Sequence, residues 1–390
     1  MKTAHPNLQD SPIYLDYNAT TPVDPAVVEA MLPYLSLHFG NPSSSHYYGR
    51  AAHHAIDAAR EQVARLISCL PGEITFTGGG SESDNLAIRG AALARRSRGD
   101  HIITQVTEHP AVLNTCRALA QLHGFRVTYL PVDSSGRVSP EDIEAAIEDK
   151  TVLITIMHAN NETGTLQPIR EIAQIAQRHG VLVHSDAAQA VGKIPVHIDE
   201  LGVDMLTIAG HKLYAPKGIG ALYVRHGLQL EPVVYGGGQE AGLRAGTENV
   251  AYMVALGSAC ILAQQQLAAS QPRLQQLRDS LRQQLEQYFT GSIYLNGHET
   301  QRLPNTLNIS IEGFIGEEIL AAAPEIASST GSACHEGSTD PSPVLMAMGF
   351  SRERALGALR LTLGRWSTMH EVERAAKLLA QTIDSLRQKR

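Results

Sequence analysis

Ile169-Arg170-Glu171-Ile172-Ala173-Gln174-Ile175-Ala176-Gln177-Arg178-His179-Gly180, followed at once by Val181-Leu182-Val183-His184-Ser185-Asp186, holds the change of period on which the fold turns. Ile169, Ile172, Ala173 and Ala176 recur at helical spacing, and Gly180 is the residue type that closes a helix in a left-handed conformation. Residues 181–184 then read as a strand that is apolar on both faces. Outward from this unit the alternation repeats: residues 74–76, 102–106, 152–157, 205–208 and 221–224 are further short runs rich in Val, Ile and Leu. Near-continuously apolar strands separated by helices predict an α/β fold, a mostly parallel sheet covered on both faces.

The pattern changes near residue 250. A helical stretch rich in Ala, Leu and Gln runs to Ser270, and Pro272 opens another with Leu274, Leu277, Leu281 and Leu285 on one face. Residues 305–311 alternate as a half-buried strand, residues 359–363 form a second, and a last amphipathic helix carries Val372, Ala376, Leu379 and Ile383. The reading is two domains: a large one over 14–260, and a small α+β one from 1–13 with 261–390, which includes the polar stretch 328–342.

Composition narrows the function. With 39 acidic against 32 basic residues the formal net charge is −7, so a dense basic face for nucleic acid is not expected. The 17 His residues are scattered and neither Cys-x-x-Cys nor His-x-x-x-His occurs, so no metal site is expected. Cys69, Cys116, Cys260 and Cys334 have no framework spacing, which suits reduced thiols. The polar start lacks an apolar signal core, and no apolar run approaches the roughly 20 residues of a bilayer span. A cytoplasmic chain without membrane or nucleic-acid partners is expected.

Five places carry chemistry. Gly78-Gly79-Gly80-Ser81 follows a strand and precedes a helix, where backbone N–H groups can meet an anion; a tight turn capped by Ser81 is the alternative. Asp186 ends a buried strand, where open α/β sheets bind ligands. A carboxylate there can keep a pyridinium nitrogen protonated or simply cap the next element. Lys212, after Gly210 and His211, stands at another strand end and can form a Schiff base if desolvated. Cys334 lies in a Gly/Ser-rich loop beside His335 and Glu336, a setting for an accessible thiolate. Arg360, within an apolar strand, either grips a carboxylate ligand or pairs with a nearby acid.

Together these stretches resemble the cysteine desulfurase family of fold-type I pyridoxal-phosphate (PLP) enzymes. The likeness also runs through Tyr14-Leu15-Asp16-Tyr17-Asn18-Ala19-Thr20-Thr21-Pro22, Gly40-Asn41-Pro42-Ser43-Ser44, Thr107-Glu108-His109, His158-Ala159-Asn160-Asn161-Glu162-Thr163-Gly164, Arg244-Ala245-Gly246-Thr247-Glu248-Asn249 and Gly331-Ser332-Ala333-Cys334. It implies a seven-stranded PLP-binding domain with a smaller α+β domain, and a homodimer. Lys212 would hold the cofactor, Asp186 would face the ring nitrogen, and His109 would stack on the ring and move protons. Gln189 and Asn161 would bond the ring hydroxyl. The phosphate would lie on Gly80, Ser81 and His211, with Thr247 reaching over from a partner subunit. Arg360, with Asn161, would take the substrate carboxylate. Cys334 would receive sulfur from L-cysteine as a persulfide, leaving L-alanine, and pass it to an acceptor protein for iron–sulfur clusters or thio-cofactors. Ala209 stands where many desulfurases carry a phosphate-binding hydroxyl. It joins Gly237-Gly238-Gln239-Glu240, Arg302-Leu303-Pro304-Asn305 and Ser342-Pro343-Val344-Leu345 in also resembling selenocysteine lyases. A selenocysteine lyase, or a fold-type I protein that binds without catalysis, is therefore the alternative.

Overall fold

Strands buried on both sides need helices above and below, and the computed structural model, which describes residues 5, 8, 12–331 and 340–388, supplies them. In chain order the strands are β1 (Ile13–Tyr14), β2 (Ile74–Thr77), β3 (His101–Gln105), β4 (Arg126–Leu130), β5 (Thr151–Thr155) and β6 (Leu182–Asp186). They continue with β7 (Met205–Ala209), β8 (Gly220–Val224), β9 (Ile293–Leu295), β10 (Thr306–Ile311), β11 (Ile326–Ala327) and β12 (Ala358–Thr362). The large sheet has seven strands in the order β2-β8-β7-β6-β5-β3-β4. Every pairing in it is parallel except those of β8, which runs antiparallel to β7 and to β2.

Period two sorts the strand residues between two apolar layers. Leu153, Leu182 and Met205 point into one with Leu86, Val112 and Cys116 of the helices Gly80–Ala94 and Pro110–His123. Ile154, Val183 and Leu206 point into the other, with Ile56 and Val63 of the helix Tyr47–Ile67. The helix Ile169–His179 ends as expected, with Gly180 at φ 66°. Strand β4 is not legible as an apolar run, because it edges the sheet and only Leu130 is buried in it.

The helix expected to break at Pro272 does not. Val250–Tyr288 is one helix of 39 residues with Pro272 inside it. Its first half packs Met253, Leu256 and Ala263 into the large core, while Leu274, Leu277, Leu281 and Leu285 enter a second core. An internal proline costs about 3 kcal/mol or more. Burying four leucines at roughly 1.5–3 kcal/mol each outweighs that. The boundary expected at 260/261 falls inside this helix. By length and composition the helix could also cross a membrane, which the Gly, Ser and Gln interruptions conceal in the sequence; its apolar residues are committed to the two cores.

The second core lies under a sheet ordered β12-β10-β9 and the helix Met369–Gln388. Strand β10 alternates as expected but is buried along its whole length rather than on one face. Leu307, Ile309 and Ile311 face the second core, while Thr306 and Asn308 bond to groups across the seam between the cores. The chain start is drawn into that seam: β1 pairs parallel with β11, and Asp16 bridges to Thr362 of β12.

Candidate active site at the strand ends

The carboxyl ends of β6 and β7 meet this seam. Asp186, the last residue of β6, is buried, and its Oδ1 accepts the Ala188 N–H at 2.9 Å. The turn expected of a capping Asp is therefore present, yet one N–H leaves most of the carboxylate's capacity free. Burial pushes the carboxyl above the usual range, against the Ala188 bond and the charges of His109 and Lys212. Two residues earlier His184 spans three strands, bonding Thr155 Oγ1 at 2.9 Å and Thr207 Oγ1 at 3.0 Å. Burial depresses its pKa to about 3, so it stays neutral. Asp84 lies 3.7 Å from His184 Nε2, and burial, then Asp186, push its carboxyl well up.

Lys212 closes the turn Gly210–Lys212 directly after β7. Its Nζ donates to the carbonyls of Asn18 at 2.7 Å and Ala19 at 2.6 Å. Burial and the Arg360 charge lower its pKa to about 8, against the pull of Asp186 and Asp16. Carbonyls hold the amine without fixing its proton as a carboxylate would. His109 caps the helix Pro110–His123, its Nδ1 accepting the Ala111 N–H at 3.1 Å. Burial lowers its pKa; Asp186 opposes and Lys212 reinforces the shift, so these three groups share one field.

Asn18 was not singled out by the sequence, and the structure makes it the hub of the seam. Its carbonyl takes Lys212 and, at 2.9 Å, Gln189 Nε2; its Oδ1 takes Lys193 Nζ at 3.0 Å and Asn305 Nδ2 at 3.1 Å. Its Nδ2 donates to the Asn161 carbonyl at 3.1 Å and to Thr306 Oγ1 at 2.9 Å. Lys193 also donates to Gln189 Oε1 at 2.5 Å, and among the described residues Gln189 Nε2 donates only to Asn18. Only the neighbouring Tyr-Asn-Ala-Thr-Thr run hinted at this density of bonds.

Arg360, on β12, is buried and pairs with Asp16 Oδ1 at 2.7 Å, with a second bond to the Asn161 carbonyl at 3.3 Å. The nearby acid foreseen for it therefore exists, and its Nε has no partner among the described residues. The stem of the cysteine-bearing stretch starts here: the Arg360 N–H donates to the Ser329 carbonyl at 2.8 Å, and Ser328 Oγ to the Arg360 carbonyl at 2.5 Å. Cys334, His335 and Glu336 lie outside the described residues. The other three cysteines are free; burial raises the Cys69 and Cys116 thiols to about 12 and Cys260 further, so they are poor nucleophiles.

The glycine turn stands beside β7. Gly79, at φ 147°, caps the helix Gly80–Ala94 without a side chain, so the alternative of a turn capped by Ser81 does not hold. The Gly78 N–H is taken instead by Glu82 Oε2 at 3.0 Å, and Glu82 pairs with Arg244 at 2.9 Å. Ser81 stays exposed at the helix start, where N–H groups have no intrahelical acceptor. A Cβ at Gly80 would come within 3.2 Å of the Ala209 Cβ, so this face of the turn meets a methyl and not a hydroxyl. His211 bonds Thr20 Oγ1 at 3.1 Å, and burial depresses its pKa to about 4. Thr247 sits apart on an exposed loop that Glu240 anchors through Arg60 at 2.6 Å and the Phe76 N–H at 2.7 Å.

These residues fit pyridoxal phosphate. An amine with a lowered pKa, a buried carboxylate with spare capacity, the Gln189 amide and an open helix start all occupy one end of the sheet. Residues 13–375 match the family model described as aminotransferase class-V. The chain is 47% identical over 377 residues to a protein named cysteine desulfurase IscS from Dictyoglomus turgidum, covering 96% of this chain and 95% of the other. It is 47% identical over 381 residues to the protein of that name from Methanosarcina thermophila, covering 97% and 94%. Among solved structures, a NifS-like protein superposes with TM-score 0.89 at 36% identity, over 96% of this chain and 99% of the other. One described as SspA in complex with cysteine superposes with TM-score 0.80 at 40% identity, over 91% and 99%. Proteins of this family depend on pyridoxal phosphate, in keeping with the donor set at β6 and β7. The chain belongs to the cysteine desulfurases of the aminotransferase class-V family.

Proposed function

We propose that this protein converts L-cysteine to L-alanine and stores the sulfur as a persulfide on Cys334. The observation that carries the reading is the seam itself: Lys212 lies within the fields of both Asp186 and Arg360, and the stem of the Cys334 stretch leaves from Arg360. Bound pyridoxal phosphate supplies an electron sink for the substrate's α-carbon. Lys212 would hold it and would move the substrate's α-proton; its low pKa leaves a usable free-amine fraction near neutrality. Asp186 would pair with the ring nitrogen, His109 would lie against the ring, and Gln189 and Asn161 would bond its hydroxyl. Gly80, Ser81 and His211 hold the phosphate. Arg360 takes the substrate carboxylate with the guanidinium that here donates to Asp16 and to the Asn161 carbonyl. The Cys334 thiolate attacks the substrate sulfur, the carbon–sulfur bond breaks, the carbon takes a proton, and alanine leaves.

A second copy of the chain completes the assembly in this reading. Leu32, Leu35, Leu37, Phe39, Tyr47 and Tyr48 are exposed within 17 residues of sequence, more apolar surface than scattered residues explain. Thr247 lies on its loop ready for a neighbouring phosphate. The persulfide then passes to an acceptor protein serving iron–sulfur clusters or thiolated cofactors, in the cytoplasm. Purified protein should show a visible cofactor band that Lys212→Ala changes, and should release alanine from L-cysteine. Release from selenocysteine alone would favour the lyase alternative and overturn this reading.

A further inference from the structure

Glu162 is a buried acid to which the reading above gives no task. It follows Asn161 in the loop after β5, and its backbone is fixed on both sides. Its N–H donates to Asn160 Oδ1 at 2.9 Å, and its carbonyl accepts Asn308 Nδ2 of β10 at 3.1 Å. Glu162 is 5% exposed, and its carboxyl reaches across the seam to a segment far from it in sequence. Ser342 Oγ donates to Glu162 Oε2 at 2.5 Å while also accepting the Leu345 N–H at 3.2 Å as the cap of the helix Pro343–Ala347. On the other side lies Gly331, at φ 102°, where a Cβ would stand 3.0 Å from the same Oε2. Residues 331 and 342 are the two flanks of the stretch that contains Cys334. One carboxyl oxygen therefore bonds one flank and lies beside the backbone of the other, where only a glycine leaves it room.

We propose that Glu162 is a positioning residue that anchors both flanks of the Cys334 stretch to the substrate loop. The proposal rests on Cys334 being the sulfur acceptor. Asn161 and Arg360 already share a hydrogen bond, so an anchor on the next residue registers the cysteine-bearing flanks against the substrate's carboxylate. A buried acid costs desolvation, and fixing the flanks limits the freedom of the group they carry, which offsets that cost when the group must meet the substrate in one orientation.

Three variants of the holoenzyme test this: Glu162→Ala, Glu162→Gln and Ser342→Ala. Two activities are compared. Alanine formation from cysteine needs Cys334, whereas exchange of the α-hydrogen of L-alanine with heavy water needs only the Lys212 site. In Glu162→Ala the kcat for alanine formation should fall about ten-fold or more, as expected for a displaced reacting group, with KM and α-hydrogen exchange near wild type. Glu162→Gln, whose amide oxygen still accepts from Ser342, should recover most of it, and Ser342→Ala should fall between. Cleavage after Glu336 by a glutamate-specific protease should quicken in Glu162→Ala and Ser342→Ala. Unchanged cleavage and kcat would overturn the proposal, as would an equal loss of exchange and alanine formation, which would make Glu162 a support of the whole site. If the wild type forms no alanine, the desulfurase reading fails, and the protease comparison still decides the anchor.

Discussion

An amine that reacts near neutral pH must shed its proton there, and an ordinary lysine does so at about 10.4. Lys212 is brought to about 8 by burial and by Arg360. Capture of pyridoxal phosphate by the cofactor-free protein, followed by growth of the visible band, should therefore rise with pH and level off just above 8. A rate still climbing past 10 would contradict this setting. Arg360→Lys should raise KM for cysteine by about ten- to a hundred-fold with a smaller change in kcat, because an ammonium cannot grip a carboxylate with two parallel bonds; steady-state alanine release reads both. Arg360, Lys212 and Asp186 were legible because each breaks an apolar run or stands where one ends. Asn18, Lys193 and Asp16 were not. Their importance lies in who meets them across the seam, and a single Asn in a polar run has no pattern of its own.

At the scale of elements, the glycine turn and the three-strand tie of His184 carry separate expectations. Gly79 at φ 147° occupies backbone space that side chains rarely enter, so Gly79→Ala strains the turn by roughly 1–3 kcal/mol. Faster loss of pyridoxal phosphate on dialysis, with the folded protein retained by circular dichroism, is the expected result. His184 is neutral in the fold down to about 3, whereas in the unfolded chain it gains a proton near 6.5. Its contribution is thus complete above 6.5 and lost as pH falls below it. His158, depressed by burial to about 4, acts in the same sense. Glu108 acts oppositely: burial raises it to about 8, so its contribution is complete below about 4.5 and lost as pH rises toward 8. His184→Gln, which can still bond both threonines, should lessen the fall in urea midpoint between pH 7 and pH 5. The apolar strands and the helix Ile169–His179 were readable from period alone. Strand β4 was hidden by its exposed edge, and the continuity of the helix Val250–Tyr288 by a proline whose cost is met only by packing on two distant cores.

Across the whole molecule, two cores joined by one long helix form a seam, and Asn18, Asp186, Lys212 and Arg360 meet there. The sequence order of the motifs spoke for the family, since nine separated stretches matched in turn. It did not show that Asp16, at the start of the chain, holds Arg360 near its end, because residues so far apart share no local signal. The central claim is that Lys212 and Cys334 divide the work, one holding the cofactor and the other taking the sulfur. Alanine and protein-bound persulfide formed from L-cysteine in the presence of a reductant, in wild type and in Cys334→Ala, test it most directly. The expected result is sustained alanine release with persulfide on the Cys334 peptide in wild type. Cys334→Ala should keep the full visible band yet release alanine more than about a hundred-fold more slowly, as for loss of a nucleophile. Undiminished alanine release by Cys334→Ala would contradict the account.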